Sequence, residues 1–228
     1  GRAFAYFREW GGYDVAATGG TAARAYGTAP TLPDADTAFT LDPADGELVP
    51  PGGTIDGGEA SFVNPPGGEP GAYSELPNFS SPGDTGDRPA EDLPGQHVAF
   101  ETAAFETPID VAGVPLLDLR LSHANPLRDA RVFAKLYDVA PDGTATLVHR
   151  QVAPSRIPTV ALGDTTTLRL TGLSWRFDSG HRLRLVVAAT DLAYHNERAP
   201  DTLTVASTAE APSALRLPVV GGAPAVPD

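Results

Sequence analysis

Residues 114–190 alternate between apolar and polar side chains with a period of two, and short glycine-containing turns interrupt them. In the segment VPLLDLRLSH, for example, three leucines alternate with an aspartate and an arginine. Side chains two positions apart share one face of a β-strand, so this pattern predicts strands that are buried on one side. The turn at Pro141-Asp142-Gly143 predicts a hairpin between residues 130–139 and 144–152.

Further strands are predicted within this run and on both sides of it, and together they indicate an all-β sandwich of jelly-roll type with about nine to eleven strands. The other strand candidates are 1–13, 38–41, 47–49, 97–102, 109–111, 116–122, 165–170, 182–189 and 214–219. Twenty-four glycines and 23 prolines among 228 residues favour many turns and long loops over helices. Residues 14–31 show no periodic pattern of apolar side chains, so no strand is predicted there.

Residues 50–96 are rich in glycine and proline and have little apolar periodicity. So long a stretch without regular structure is unusual in a compact domain. We therefore interpret it as an irregular excursion, either functional or packed against a part of the protein outside this chain. The rest fits one domain, so we predict a single sandwich over residues 1–228.

The charge and the cysteine count exclude several classes of function. A net charge of −13 repels phosphate backbones and anionic lipids, so neither a nucleic acid nor a membrane is an expected partner. The chain has no cysteine, which excludes disulfides, thiolate nucleophiles and cysteine-ligated zinc. No serine lies in a G-x-S-x-G elbow, because Ser174 has Gly172 before it but Arg176 after it. We expect no catalytic residue in this chain.

No histidine pair has a metal-ligand spacing, so we expect no metal site and no cofactor. Close carboxylates do occur in the predicted loops, and solvated acidic loops explain them. The pairs are Asp34/Asp36, Asp42/Asp45, Asp84/Asp87 and Glu91/Asp92. Since such pairs also bind calcium, a structural calcium ion stays open as an alternative.

Three motifs resemble one family of domains. They are T-P-x-x-V-x-G-x-P at 107–115, KLYDV-x-PDG at 135–143 and F-x-x-GHRLRL at 177–185. The chain resembles the C-terminal domain of X-Pro dipeptidyl-peptidases, a domain that cocaine esterase and α-amino-acid ester hydrolases share. The resemblance covers essentially the whole chain and is strongest over 97–198. It implies a galactose-binding-like jelly roll that follows an α/β-hydrolase domain bearing the catalytic Ser, Asp and His.

The resemblance thus implies a non-catalytic module of a serine hydrolase, either a dipeptidyl-peptidase or an esterase. Its partner would be the catalytic domain of the same polypeptide, on which it would pack and whose substrate entrance it would help to shape. Polar and aromatic residues that follow the last strand of the strong block are candidates for that docking or entrance surface, as are two aromatic residues near the start of the chain. These candidates are Asp191, Tyr194, His195, Trp10 and Tyr13.

Two alternatives remain at this stage. A simple connecting loop also explains the residues after Thr190. The chain as a whole is compatible with a free-standing module that binds carbohydrate or protein, since a fold does not establish a function.

Overall fold

The computed structural model of the chain describes residues 4–8, 22–26, 38–68, 72, 92–125 and 128–220. Almost all regular elements there are β-strands. In chain order they are β1 (Phe4–Arg8), β2 (Ala22–Tyr26), β3 (Ala38–Asp42), β4 (Glu47–Val49), β5 (Gly58–Asn64), β6 (His97–Glu101), β7 (Ile109–Gly113), β8 (Leu116–His123), β9 (Ala130–Val139), β10 (Ala145–Ile157), β11 (Thr165–Arg169), β12 (Leu173–Phe177), β13 (Arg182–Ala188), β14 (Asp201–Ser207) and β15 (Ala214–Arg216). Within these residues, no helix is long and apolar enough to cross a membrane.

One layer of the fold is an antiparallel sheet in the order β10-β9-β13-β6. The 141–143 turn joins β9 to β10, and a bulge between Leu147 and Val152 interrupts their pairing. Both faces of β9 and β13 are covered, because each strand contributes to the core between the layers and to a second apolar cluster on the outer side. This explains why β9 is apolar on both faces rather than strictly alternating.

The second layer is built around β8. β11 pairs with one side of β8, and β14 and β15 lie end to end along its other side. β5 then pairs with β14, and β3 with β15. The short strand β4 connects the layers through one parallel pair, Glu47 with Glu101 on β6. Separate two-stranded sheets join β7 to β12 and β1 to β2.

The inward faces of the two layers form one hydrophobic core, which Phe39, Phe62, Leu119 and Leu185 represent. A second, smaller cluster lies on the outward face of β9 and β13 and includes Tyr137, which is 1% exposed. Each large apolar side chain buried in this way contributes about 1.5–3 kcal/mol relative to an exposed one. The predicted all-β sandwich is therefore confirmed.

The structure also corrects parts of the predicted strand pattern. β2 lies in the stretch interpreted as lacking a pattern, and β5 lies inside the 50–96 stretch interpreted as irregular. β14 was not predicted at all. β10 is longer than predicted and ends at Ile157, whereas β15 is shorter and ends at Arg216. The galactose-binding-like relationship and the single domain over 1–228 stay predictions.

Candidate functional site

The loops at one end of the sandwich carry three of the five residues singled out in the sequence. At this end, which we call the loop end, β6, β9 and β14 begin, while β5, β8 and β13 end. Residues 191–200, which belong to the connection from β13 to β14, cross this end. Asp191, Tyr194 and His195 belong to this 191–200 loop, whereas Trp10 and Tyr13 lie outside the described residues.

A buried ion cluster lies beneath the loop. Lys135, on the outward face of β9, is 1% exposed, and its Nζ lies 2.7 Å from Asp92 Oδ2 and 3.0 Å from Asp191 Oδ2. We call Lys135, Asp92 and Asp191 the Lys135 cluster. A lysine is almost never buried this deeply unless it is paired. The cluster therefore ties the turn before β6 and the start of the 191–200 loop to the middle of the sheet.

The cluster carries one more negative than positive charge when both carboxyls are ionised. Burial raises the pKa of Asp92 above its usual value of 3.8, and the nearby Lys135 offsets only part of that rise. The negative charge of Asp191 raises the same pKa further. Proton uptake by Asp92 is thus the simplest way for the cluster to become neutral.

This raised pKa predicts a pH dependence of stability that an Asp92→Asn variant lacks. Above the usual pKa of 3.8 and up to the raised one, the folded chain binds more protons at Asp92 than the unfolded chain does. Stability from this group must therefore fall as pH rises through that window. Urea unfolding from about pH 4 to about pH 7 should show the stability difference, wild type minus variant, decreasing with pH. A difference that stays constant or rises would contradict the assignment.

The rest of the 191–200 loop is held by hydrogen bonds to the last residue of β5 and to the segment that follows it. Asn64 Nδ2 donates to the carbonyl oxygens of Glu197 and Ala199, at 2.9 and 2.6 Å. Asn196 Nδ2 donates to the carbonyl oxygen of Gly68 at 3.2 Å, and Asn196 Oδ1 accepts the N–H of Asp191 at 3.0 Å. These contacts fix the loop at both of its ends.

Glu197 adds a further anchor within the same loop. Its Oε1 accepts the backbone N–H groups of Arg198 and Ala199. Donation from Ala199, above all, holds the pKa of the Glu197 carboxyl below its usual range. Arg128, next to β9, adds an exposed ion pair to the same carboxylate at 3.3 Å. Hydrogen bonds and ion pairs therefore hold the loop in an ordered conformation.

The predicted candidates in this loop have different environments. Asp191 is fully buried, so its carboxylate supports the loop from below and is not at the surface. The ring of Tyr194 packs on Phe133, with the centroids 5.6 Å apart. His195 is exposed, and its carbonyl oxygen accepts from Arg131. Sequence reasoning missed Lys135 and Asn64. It considered Asp92 only as a member of a solvated acidic pair, whereas the structure buries that side chain.

Two histidines form pairs with aspartates elsewhere in the described chain. His123, at the end of β8, contacts the Asp201 carboxylate through Nδ1, but its Nε2 is buried without a hydrogen-bond partner. No serine hydroxyl is therefore activated at this imidazole. His181 Nδ1 lies 2.7 Å from Asp138, which also accepts from Trp175 Nε1. Asp138 therefore holds the residue before β13 and, through Trp175, connects β9 to β12 of a separate sheet.

The described residues contain no group of three or more His, Cys, Asp or Glu side chains that could hold a metal ion. Of the predicted acidic pairs, Asp34/Asp36 and Asp84/Asp87 lie outside the described residues, as does Glu91. Asp42 is buried and accepts backbone N–H groups from Ala44, Asp56 and Gly57, which gives it a structural role. The predicted absence of a cofactor and the alternative of a structural calcium ion both remain untested.

The fold and the loop end together define the class of protein. The chain is a β-sandwich domain whose loops at one end are fixed by buried polar groups. Residues 17–216 match the family of X-Pro dipeptidyl-peptidase C-terminal non-catalytic domains, and the chain belongs to this family. The resemblance stated from the three motifs is thereby confirmed. A comparison with curated protein sequences gives no significant match.

Solved structures with a similar fold come from hydrolases. An aminopeptidase from a marine sediment Thaumarchaeota archaeon has a TM-score of 0.64 at 18% identity, and an α-amino acid ester hydrolase has 0.63 at 20%. Each match covers 81% of this chain and 36% of the other. A CocE/NonD family hydrolase from Staphylococcus aureus has a TM-score of 0.56 at 12% identity, over 89% of this chain and 39% of its own. The chain thus spans little more than a third of these proteins.

Proposed function

We propose that this chain is the non-catalytic C-terminal module of an α/β-hydrolase that cleaves X-Pro peptides or esters. The family match over residues 17–216 carries the proposal. In the complete polypeptide, the module packs on the catalytic domain, stabilises it and shapes the substrate entrance. Chemistry then runs through an acyl-enzyme on a Ser-His-Asp triad outside this chain.

The loop end supports the packing role because its geometry is fixed in advance. An interface that is already ordered loses less conformational entropy on association than one that must order as it binds. The buried Lys135 cluster and the hydrogen bonds from Asn64 and Asn196 supply this order. A loop held in this way can border a substrate entrance without moving into it.

The test compares the complete native polypeptide, the 228-residue chain, and the polypeptide from which these residues are deleted. We expect the complete polypeptide to hydrolyse an X-Pro dipeptide anilide or an α-amino acid aryl ester. The 228-residue chain should match a denatured control. The deletion should lower kcat/KM by about 10²-fold or more, because small displacements at an active site have effects of that size.

Turnover by the 228-residue chain would overturn the proposal, and so would a native polypeptide that has no hydrolase activity. A deletion that leaves both kcat/KM and the thermal midpoint unchanged would remove the stabilising and shaping roles. Measuring both quantities separates the two roles, because a purely stabilising module changes the midpoint while kcat/KM at low temperature stays the same.

A further inference from the structure

Three exposed apolar side chains gather at the loop end. In the described part of the chain, the large hydrophobic residues with substantial exposure are Val63, Leu93 and Leu192, at 43%, 49% and 37%. Single exposed apolar residues are normal on a protein surface, but a group of them at one place indicates an interaction site. Their common location therefore needs an explanation.

Hydrogen bonds and the Lys135 cluster bring these three residues together. The N–H of Val63 donates to the carbonyl oxygen of Gly95 at 2.8 Å, so the end of β5 lies against the turn that begins with Leu93. Leu93 and Leu192 each directly follow a carboxylate that binds the Nζ of Lys135. The buried ammonium group of Lys135 thus holds Leu93 and Leu192 beside each other.

The backbone that presents these side chains is fixed as well. The carbonyl oxygen of Leu93 accepts the N–H of Gln96 at 3.1 Å and lies 3.1 Å from His97 Nδ1. The N–H of Leu192 donates to the carbonyl oxygen of Ala72 at 3.0 Å. Side chains on an ordered backbone give more binding free energy per area, because less entropy is lost on docking.

We propose that Val63, Leu93 and Leu192, here called the loop-end patch, are the surface on which the catalytic domain of the same polypeptide docks. This inference rests on the proposed function and names the surface that it uses. The complementary surface is an apolar patch on the α/β-hydrolase domain. Docking there covers the 191–200 loop and places it at the boundary between the domains.

The size of the patch favours a tethered domain over a free partner. A stable complex between separate proteins buries at least about 1,000–1,200 Å² in total, which three side chains do not supply by themselves. A domain in the same polypeptide needs less, because the connection holds it at a high effective concentration. A second copy of this chain is disfavoured further by mutual repulsion between two charges of −13.

The absence of cysteine from the sequence permits a direct test by thiol labelling. Val63→Cys, Leu93→Cys and Leu192→Cys are introduced singly, with Thr165→Cys on the exposed side of β11 as the matched control. Each variant is made in the 228-residue chain and in the complete native polypeptide. Mass spectrometry of the peptide that contains the new thiol then follows its reaction with a maleimide.

In the complete polypeptide, we expect labelling at the three patch positions to be about tenfold slower or more than in the 228-residue chain, because a packed interface core excludes water and reagent. Labelling at Thr165→Cys should change less than about twofold, since exposed surface stays exposed when the domains dock. Because all four sites are at least partly exposed, these substitutions leave the core intact.

Each other outcome overturns the assignment. Unprotected patch thiols in an active native polypeptide would show that the domains dock elsewhere, while the module function would stand. Equal protection at Thr165→Cys would indicate general shielding rather than docking at the loop end. Labelling in the 228-residue chain that slows as its concentration rises would assign the patch to a second copy. Loss of the proposed function is recognised separately, by turnover in the 228-residue chain.

Discussion

Replacing Lys135 by methionine is expected to lower the free energy of unfolding by about 3–5 kcal/mol, because removal of one member of a buried ion pair leaves uncompensated charge in the interior. Here the loss is shared by two carboxylates, Asp92 and Asp191, which Lys135 contacts at 2.7 and 3.0 Å. Methionine keeps the length and most of the packing of the lysine side chain, so the change isolates the charge.

Arg128→Ala is the matched control, since it also removes a cation that contacts the loop end. The Arg128–Glu197 pair is 3.3 Å long, and the two side chains are 54% and 30% exposed. Exposed pairs of this kind contribute about 0–1 kcal/mol, so the control should unfold close to the wild type. Urea denaturation at neutral pH, followed by circular dichroism, measures both variants on one scale.

A triple variant keeps the prediction testable if Lys135→Met alone does not fold. Adding Asp92→Asn and Asp191→Asn removes both orphaned charges, and the cluster becomes neutral at similar volume. Neutral replacement of a buried ionic group is often tolerated, so the triple variant should recover at least half of the lost stability. A Lys135→Met protein within about 1 kcal/mol of the wild type would show that the buried charges are not the source of the constraint.

The sequence predicted those strands whose alternation is strict and whose ends are marked by turns. β8 alternates leucine with charged residues, and β9 and β10 are joined by Pro141-Asp142-Gly143. The hairpin and its two strands were therefore predicted, although β10 extends further, to Ile157. Local information suffices in these cases, because the period of two and the turn chemistry lie within a few residues. The all-β class followed from the same signals.

β5 and β14 were missed for a different reason. Each has inward residues at alternate positions, Phe62 and Asn64 on β5 and Leu203 and Val205 on β14. These strands pair with each other across 137 positions of sequence, as the partners Asn64 and Asp201 show. A short amphipathic strand between proline-rich segments gains its stability from such distant pairing, which a single sequence does not display.

In the candidate site, too, some features follow from local sequence and others from long-range pairing. The sequence directed attention to the stretch around Asp191, and the structure places that stretch at the loop end. Lys135 could not be identified as its support, because in the sequence it is one polar residue of a strand, KLYDV. Its partners follow from the register in which β9 pairs with β13, where Lys135 lies opposite Val186. Buried polar residues thus depend on long-range pairing that local patterns do not specify.

Gly68→Ala is expected to destabilise the chain by about 2–4 kcal/mol, from backbone strain and steric overlap together. Gly68 has a φ of +68°, and an added Cβ would lie 2.7 Å from the carbonyl oxygen of Glu197 and 3.1 Å from Asn196 Cβ. These atoms belong to the 191–200 loop, and the Glu197 oxygen also accepts from Asn64. The loop must therefore shift to admit a methyl group.

Gly67→Ala separates the overlap from the strain. Gly67 has a φ of +82°, but nothing lies within 4 Å of the position of its added Cβ. The Gly67 variant should therefore lose only the cost of a left-handed conformation, about 1–2 kcal/mol. Urea midpoints give the two losses, and hydrogen exchange at Ala199 and Leu192 reports the loop itself. Faster exchange there in Gly68→Ala alone is expected, because only that substitution pushes against the carbonyl of Glu197. Equal losses of stability in the two variants, with equal rates of hydrogen exchange, would contradict this expectation. They would mean that the 191–200 loop moves aside at little cost and is not held in place by the turn after β5.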